Sequence, residues 1–114
     1  MRVLIVEDDD AVRLLLERVL LQAGVEVDAV ASGAEARARA ATATPDVLVA
    51  DVLLGDGDGD GIALARVLAH DVPGLRVILM TGSDVVEGVD WPVLNKPFDL
   101  DELVRLVTGD GRRR

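Results

Sequence analysis

Val3-Leu4-Ile5-Val6-Glu7-Asp8-Asp9, near the start of the chain, and Asp46-Val47-Leu48-Val49-Ala50-Asp51, in its middle, share one pattern: a short unbroken apolar run closed by acid. A strand with one wet face alternates apolar and polar residues, whereas an unbroken run is buried on both faces, as in a parallel sheet covered by helices. Arg76-Val77-Ile78-Leu79-Met80 repeats the run and ends at Thr81, and Val93-Leu94-Asn95 supplies a shorter one before Lys96-Pro97. Residues 25–31 are β-branched enough for a further strand. Between these runs the period changes. Val12, Leu15, Leu16, Val19 and Leu20 recur at helical spacing over 11–23, with Asp9 or Asp10 placed to cap the start and Gly24 to end it. Residues 33–43 form an Ala- and Arg-rich helix stopped by Thr44-Pro45. Helices over 61–70 and 99–107 complete the pattern, the last with acids in its first turn, where the helix dipole favours them. Strands alternating with helices at this spacing predict an α/β fold with a parallel sheet covered on both faces.

The 114 residues suit one domain, half of them are apolar, and a single Phe, a single Trp and no Tyr imply a core of small and aliphatic side chains. A net charge of −9 argues against a nucleic-acid surface, which needs clustered Lys and Arg. The only basic run, Arg112-Arg113-Arg114 after Gly109-Asp110-Gly111, reads as a solvated tail or linker stub over 109–114, with the domain itself over 1–108. No apolar run reaches the roughly 20 residues needed to cross a bilayer, the N-terminus lacks a signal-type segment, and Cys is absent. A cytoplasmic protein without membrane contact is expected.

In an open α/β sheet the ligand site lies at the carboxyl ends of the strands. The strand ends here carry Glu7, Asp8 and Asp9, then Asp51, then Thr81, then Asn95 and Lys96. Crowded carboxylates repel one another and are tolerated mainly when a cation neutralises them. Mg²⁺ suits such hard oxygen donors and keeps waters for an incoming phosphate. With its charge screened, Asp51 can attack phosphorus and form an aspartyl phosphate. Lys96 can pair with the phosphoryl oxygens or, before phosphorylation, with Asp51, and the Thr81 hydroxyl can donate to the new group. A plainer reading of the same acids has them cap the helices that follow, with Lys96 in an ordinary ion pair.

The ordered set Val3-Leu4-Ile5-Val6-Glu7-Asp8-Asp9, Asp46-Val47-Leu48-Val49-Ala50-Asp51, Met80-Thr81-Gly82 and Asn95-Lys96-Pro97-Phe98 resembles the receiver domain of two-component response regulators over nearly the whole chain. The resemblance implies a flavodoxin-like, doubly wound sheet of five parallel strands in the order 2-1-3-4-5. It further implies Asp51 as phospho-acceptor, Asp8 as a direct Mg²⁺ ligand, Glu7 acting through water, and the backbone carbonyl of Leu53 as another ligand. Thr81 would be the switch hydroxyl, Gly82 the small neighbour that leaves the phosphoryl group accessible, and Lys96 the phosphate partner after a cis Lys96-Pro97 bond. The implied partners are a histidine kinase or histidine phosphotransfer protein and an unidentified downstream target. The implied role is a signalling switch with autophosphorylation and autodephosphorylation chemistry, not an enzyme with an external substrate.

Departures from the family pattern accompany the match. Thr81 and Lys96 are too close in sequence for the full fourth helix that the family places between them, so that helix is expected to be shortened or absent, at most a short mobile one over 83–90. Val93 stands where the family commonly has an aromatic residue, so the usual Thr–aromatic coupling cannot operate. These two features support an alternative, a degenerate receiver acting as a phosphorylation-independent interaction module. Gly55 replaces a common Pro, and Asp56, Asp58, Asp60 and Gly61 open like a calcium loop, but Val67 holds the twelfth position, where such a loop needs an acid. Leu53 likewise fills the second acid position of a haloacid-dehalogenase-type phosphatase. His70 is expected to be a solvent-facing residue at a helix end and Trp91 a packing residue under the shortened segment.

Overall fold

The computed structural model describes residues 1–54, 61–82 and 88–109. The chain runs β1 (Arg2–Val6), α1 (Asp10–Gln22), β2 (Glu26–Val30), α2 (Gly33–Thr42), β3 (Val47–Asp51), α3 (Gly61–Asp71), β4 (Arg76–Thr81), β5 (Val93–Asn95) and α4 (Leu100–Thr108). All five strands are parallel and lie in the order β2-β1-β3-β4-β5. This is the flavodoxin-like order implied by the resemblance.

The apolar runs explain the layering. Successive strand residues point to opposite faces. Leu4, Val6, Leu48, Ala50, Val77 and Leu79 therefore meet α2 and α3 in one buried cluster. Their neighbours Val3, Ile5, Val47, Val49, Ile78 and Met80 meet Leu16 and Leu20 of α1 and Leu103 and Val107 of α4 on the other face. Both faces are dry, so β1, β3 and β4 need no polar alternation. β2, at one edge, is different: Asp28 pairs with Arg2 at 3.1 Å and with Arg39 at 3.2 Å, which puts charge on a strand edge that could otherwise pair with another chain.

Local chemistry starts the helices where the sequence predicts. The Asp9 side chain accepts from the amides of Ala11 and Val12, so Asp9 rather than Asp10 is the cap of α1. Ser32 caps α2 by accepting from Glu35, whose carboxylate in turn accepts from the amide of Ala31, and Asp99 caps α4. The final helix ends at Gly109, whose φ of 83° lies in the left-handed region that favours glycine.

Among the described residues no helix lies between β4 and β5. Residues 83–87, most of the segment expected to hold a short mobile helix, lie outside them, as do Gly55, Asp56, Asp58 and Asp60 of the calcium-loop pattern and residues 110–114 of the basic tail. Val89, Trp91 and Val93 pack against the α2–α3 side of the sheet, the packing role expected for Trp91. The guanidinium of Arg66 lies 6.0 Å from the Trp91 ring centroid, and its Nη2 donates to Gly88 O at 3.1 Å. His70 is exposed beside Asp71, in keeping with a solvent-facing position. No described helix is long and apolar enough to cross a membrane.

Candidate functional site

Parallel pairing with this register brings the ends of β1, β3, β4 and β5 to one edge of the sheet. Val6 is level with Ala50, Asp51 with Met80, and Thr81 with Asn95. Glu7 and Asp8 follow β1, Asp51 closes β3, Thr81 closes β4, and Lys96 follows β5. Glu7 is 1% exposed, Asp51 7% and Thr81 1%, which makes these the buried polar side chains of the described chain. Asp8 is exposed.

Buried polar groups must be satisfied, and Glu7 is held on every side. Its amide donates to Val30 O at 3.1 Å. Its Oε2 accepts from the Asp9 amide at 3.0 Å, and its Oε1 accepts from Lys96 Nζ at 3.2 Å. The same ammonium donates to Asp51 Oδ2 at 2.6 Å, while Asp51 Oδ1 accepts from the Leu53 amide at 3.0 Å. Lys96 thus joins two acids that come from different strands. Its own placement follows from β5, because the Lys96 amide donates to Thr81 O at 2.7 Å, and the Lys96-Pro97 peptide is cis.

The electrostatics follow from burial and crowding. Burial pushes the Glu7 carboxyl above the ordinary carboxylate range and the nearby Asp51 charge adds to this, while the Asp9 amide and Lys96 act in the opposite sense. Burial alone would lower the Lys96 ammonium, but its hydrogen bonds and charge interactions with Asp51 and Glu7 outweigh that, and it is raised above the ordinary lysine value.

Glu7, Asp8 and Asp51 each offer a carboxylate oxygen, and these atoms all lie within 4.8 Å of one another. One ammonium cannot offset three clustered carboxylates, and hard oxygen donors of this kind fit a small divalent cation. The acid pocket predicted at the strand ends is therefore present, with Lys96 beside it.

Glycines shape the approach to the pocket in two ways. A Cβ built on Gly82 would meet nothing within 4 Å, so the space above β4 is open. A Cβ on Gly61 would lie 1.9 Å from Asp51 O, so the start of α3 sits directly on the end of β3, tied by the Gly61 amide to Val52 O at 2.8 Å. Leu53, by contrast, is 74% exposed at the rim. The pairing of Lys96 with Glu7 as well as Asp51, the close approach of Gly61, and the contact of Arg13 with the Glu7 carbonyl are site features the sequence reading missed. Arg13 lies one helical turn beyond the cap Asp9, a spacing that could have flagged it.

The chain is similar to known proteins in both sequence and fold. The family model described as the response regulator receiver domain matches residues 3–108. The DNA-binding transcriptional regulator NtrC of Escherichia coli (strain K12) is 39% identical over 110 residues, which cover 90% of this chain and 23% of NtrC. The transcriptional regulatory protein TrcR of Mycobacterium tuberculosis is 37% identical over 118 residues, which cover 98% of this chain and 46% of TrcR. The chain thus spans less than half the length of either regulator. Among solved structures, a response regulator receiver protein from Sinorhizobium medicae WSM419 superposes with a TM-score of 0.87 at 30% identity, over 96% of this chain and 92% of that one.

Proposed function

The chain belongs to the response regulator receiver domain family, a class of regulatory domain, and from that premise we propose that it is a phospho-acceptor signalling switch with Asp51 as the acceptor. The observation that carries the reading is the short Lys96–Asp51 contact at 2.6 Å inside a cluster of Glu7, Asp8 and Asp51. A buried carboxylate held at a strand end by a lysine, beside two further acids, has the parts needed to take a phosphoryl group.

In this reading Asp51 presents one carboxylate oxygen to the phosphorus of a phosphohistidine or a small acyl phosphate. A new P–O bond forms as the bond to the imidazole nitrogen or acyl oxygen breaks, and the leaving group keeps the bonding electrons. The Leu53 amide already donates to Asp51 Oδ1, which orients the carboxylate. Lys96 transfers its hydrogen bond from Asp51 to a phosphoryl oxygen, and the Thr81 hydroxyl turns to donate to another. Asp8 and Asp51, the backbone carbonyl of Leu53, and Glu7 through water are the groups that would hold Mg²⁺. When bound, the ion supplies positive charge that reduces repulsion between the carboxylate and the incoming phosphoryl group. The open space above Gly82 leaves room for the new group. A histidine kinase or phosphotransfer protein is the natural donor, and a separate protein or an attached output domain the natural target.

Intact mass after incubation with Mg²⁺ and acetyl phosphate tests this directly. One phosphate adduct is expected, absent from Asp51→Asn and from metal-free protein. Folded protein that binds Mg²⁺ yet takes no adduct would instead favour the phosphorylation-independent interaction module.

A further inference from the structure

Asp8 is the exposed member of the acid cluster, and its position is set by the backbone on either side of it. That backbone is gripped from α1. Arg13 Nη1 donates to Glu7 O at 3.0 Å, its Nη2 pairs with Asp10 Oδ1 at 2.6 Å, and its own amide donates to Asp9 O at 2.9 Å. Across the same segment the Asp9 amide closes back onto Glu7 Oε2, and the Asp9 side chain caps α1. We infer that Arg13 is a positioning residue for cation binding: its forked guanidinium spans residues 7–10 and holds Asp8 at the mouth of the pocket.

The chemistry of the fork supports this role. Guanidinium is planar and presents donors in a fixed geometry, so one side chain can hold a carbonyl and a carboxylate at once, whereas an ammonium is a point charge on a flexible stem. Groups that orient metal ligands without touching the metal commonly change affinity by about 10- to 100-fold when removed. Arg13 is also a cation close to an acidic pocket, and as a bare charge it would repel a divalent ion. Geometry and charge therefore predict opposite signs for its removal, which makes the two roles separable.

The inference rests on the cation-binding reading of Glu7, Asp8 and Asp51, and the test separates the two. Mg²⁺ affinity is measured by calorimetry for wild type, Arg13→Met, Arg13→Lys and Asp10→Asn, with urea unfolding as a check on folding. In parallel, exchange of the Asp9 amide is followed in metal-free protein. Positioning predicts an Mg²⁺ Kd raised about 10-fold in Arg13→Met. It predicts a smaller rise in Arg13→Lys, which keeps the charge but not the fork, and in Asp10→Asn, which loosens one prong. It also predicts faster Asp9 exchange in Arg13→Met. An unchanged or lower Kd in folded Arg13→Met, with wild type binding normally, would overturn the positioning role and leave the phospho-acceptor reading intact. A wild type that binds no Mg²⁺ and takes no phosphate adduct would overturn both.

Discussion

Replacing Gly61 with alanine perturbs the contact between α3 and the acceptor strand with a single methyl group. The added Cβ would fall 1.9 Å from Asp51 O, 2.9 Å from Asp51 C and 3.1 Å from Val52 Cα. All three are backbone atoms, so no side chain can rotate aside. Reaching even the shortest tolerated separation of 3.0 Å requires a movement of about 1 Å, and an ordinary contact of 3.4 Å requires about 1.5 Å. Such a movement would break the 2.8 Å hydrogen bond from the Gly61 amide to Val52 O. Overpacking typically costs about 1–3 kcal/mol and a lost hydrogen bond about 1 kcal/mol. The lower chain entropy of unfolded alanine returns roughly 0.5 kcal/mol, leaving a net loss of about 1.5–3.5 kcal/mol. At a urea dependence of about 1–3 kcal/mol/M, the unfolding midpoint should fall by roughly 0.5–3.5 M. The domain should remain folded, because typical stabilities are about 5–15 kcal/mol. Phosphorylation by acetyl phosphate should slow by about 10- to 100-fold, since the displaced atoms belong to Asp51 itself. Gly82→Ala is the matched control. Its Cβ meets nothing within 4 Å, so its midpoint should move by less than about 0.5 kcal/mol equivalent. Equal midpoints for Gly61→Ala and wild type, or equal losses of stability in both alanine variants, would refute the steric reasoning.

Lys96→Met should destabilise the domain by about 1–3 kcal/mol at neutral pH, because it strands the Glu7 carboxylate in a buried position; the loss is kept modest by the partial exposure of the lysine. Urea unfolding should show the loss shrinking as pH falls and Glu7, whose carboxyl burial already holds above the ordinary 4.5, takes up a proton; a pH-independent loss would count against it. The raised Lys96 pKa means its stabilisation is complete below the ordinary lysine value of 10.5 and is lost as pH rises through the folded value. Wild type should therefore lose stability above pH 10.5 more steeply than Lys96→Met, and parallel curves would contradict the ion-pair account. Mg²⁺ at ten times its Kd should raise wild-type stability by roughly 1.4 kcal/mol. The same concentration should stabilise Asp8→Asn and Asp51→Asn less, as read from melting temperature, and equal gains in all three would place the ion elsewhere.

The fold was legible because its signal is redundant. Each of β1, β3 and β4 carries an unbroken apolar run, and a run dry on both faces has few homes other than the middle of a covered parallel sheet. Asp9, Ser32 and Asp99 then set the helix starts through their own side chains, which needs no tertiary information. Strand order was a different matter. Nothing in the periodicity of residues 26–30 says that β2 lies outside β1, and that order came from resemblance. The interruption between Thr81 and Lys96 was readable as a shortage of residues, but not the way Trp91 and Arg66 pack where the family has a helix.

The site divides along the same line. Acids at the ends of buried strands announce a charged pocket from sequence alone, since the strand ends of an open α/β sheet converge. Which of them share a proton or a cation depends on register, and register is a long-range property. Level pairing of Val6 with Ala50 and of Thr81 with Asn95 brings Glu7, Asp51 and Lys96 within reach of one another across three separate stretches of chain. The result is that Lys96 serves Glu7 and Asp51 together, whereas the residues themselves suggested a partnership with Asp51 or with one acid. A lysine shared in this way couples the two carboxylates: drawing the ammonium from Asp51 toward a new phosphoryl group also weakens its hold on the buried Glu7. Phosphorylation in the proposed mechanism would then change the environment of β1 as well as β3. In that mechanism the strand that leads into α1 responds together with the acceptor strand, through the one lysine they share.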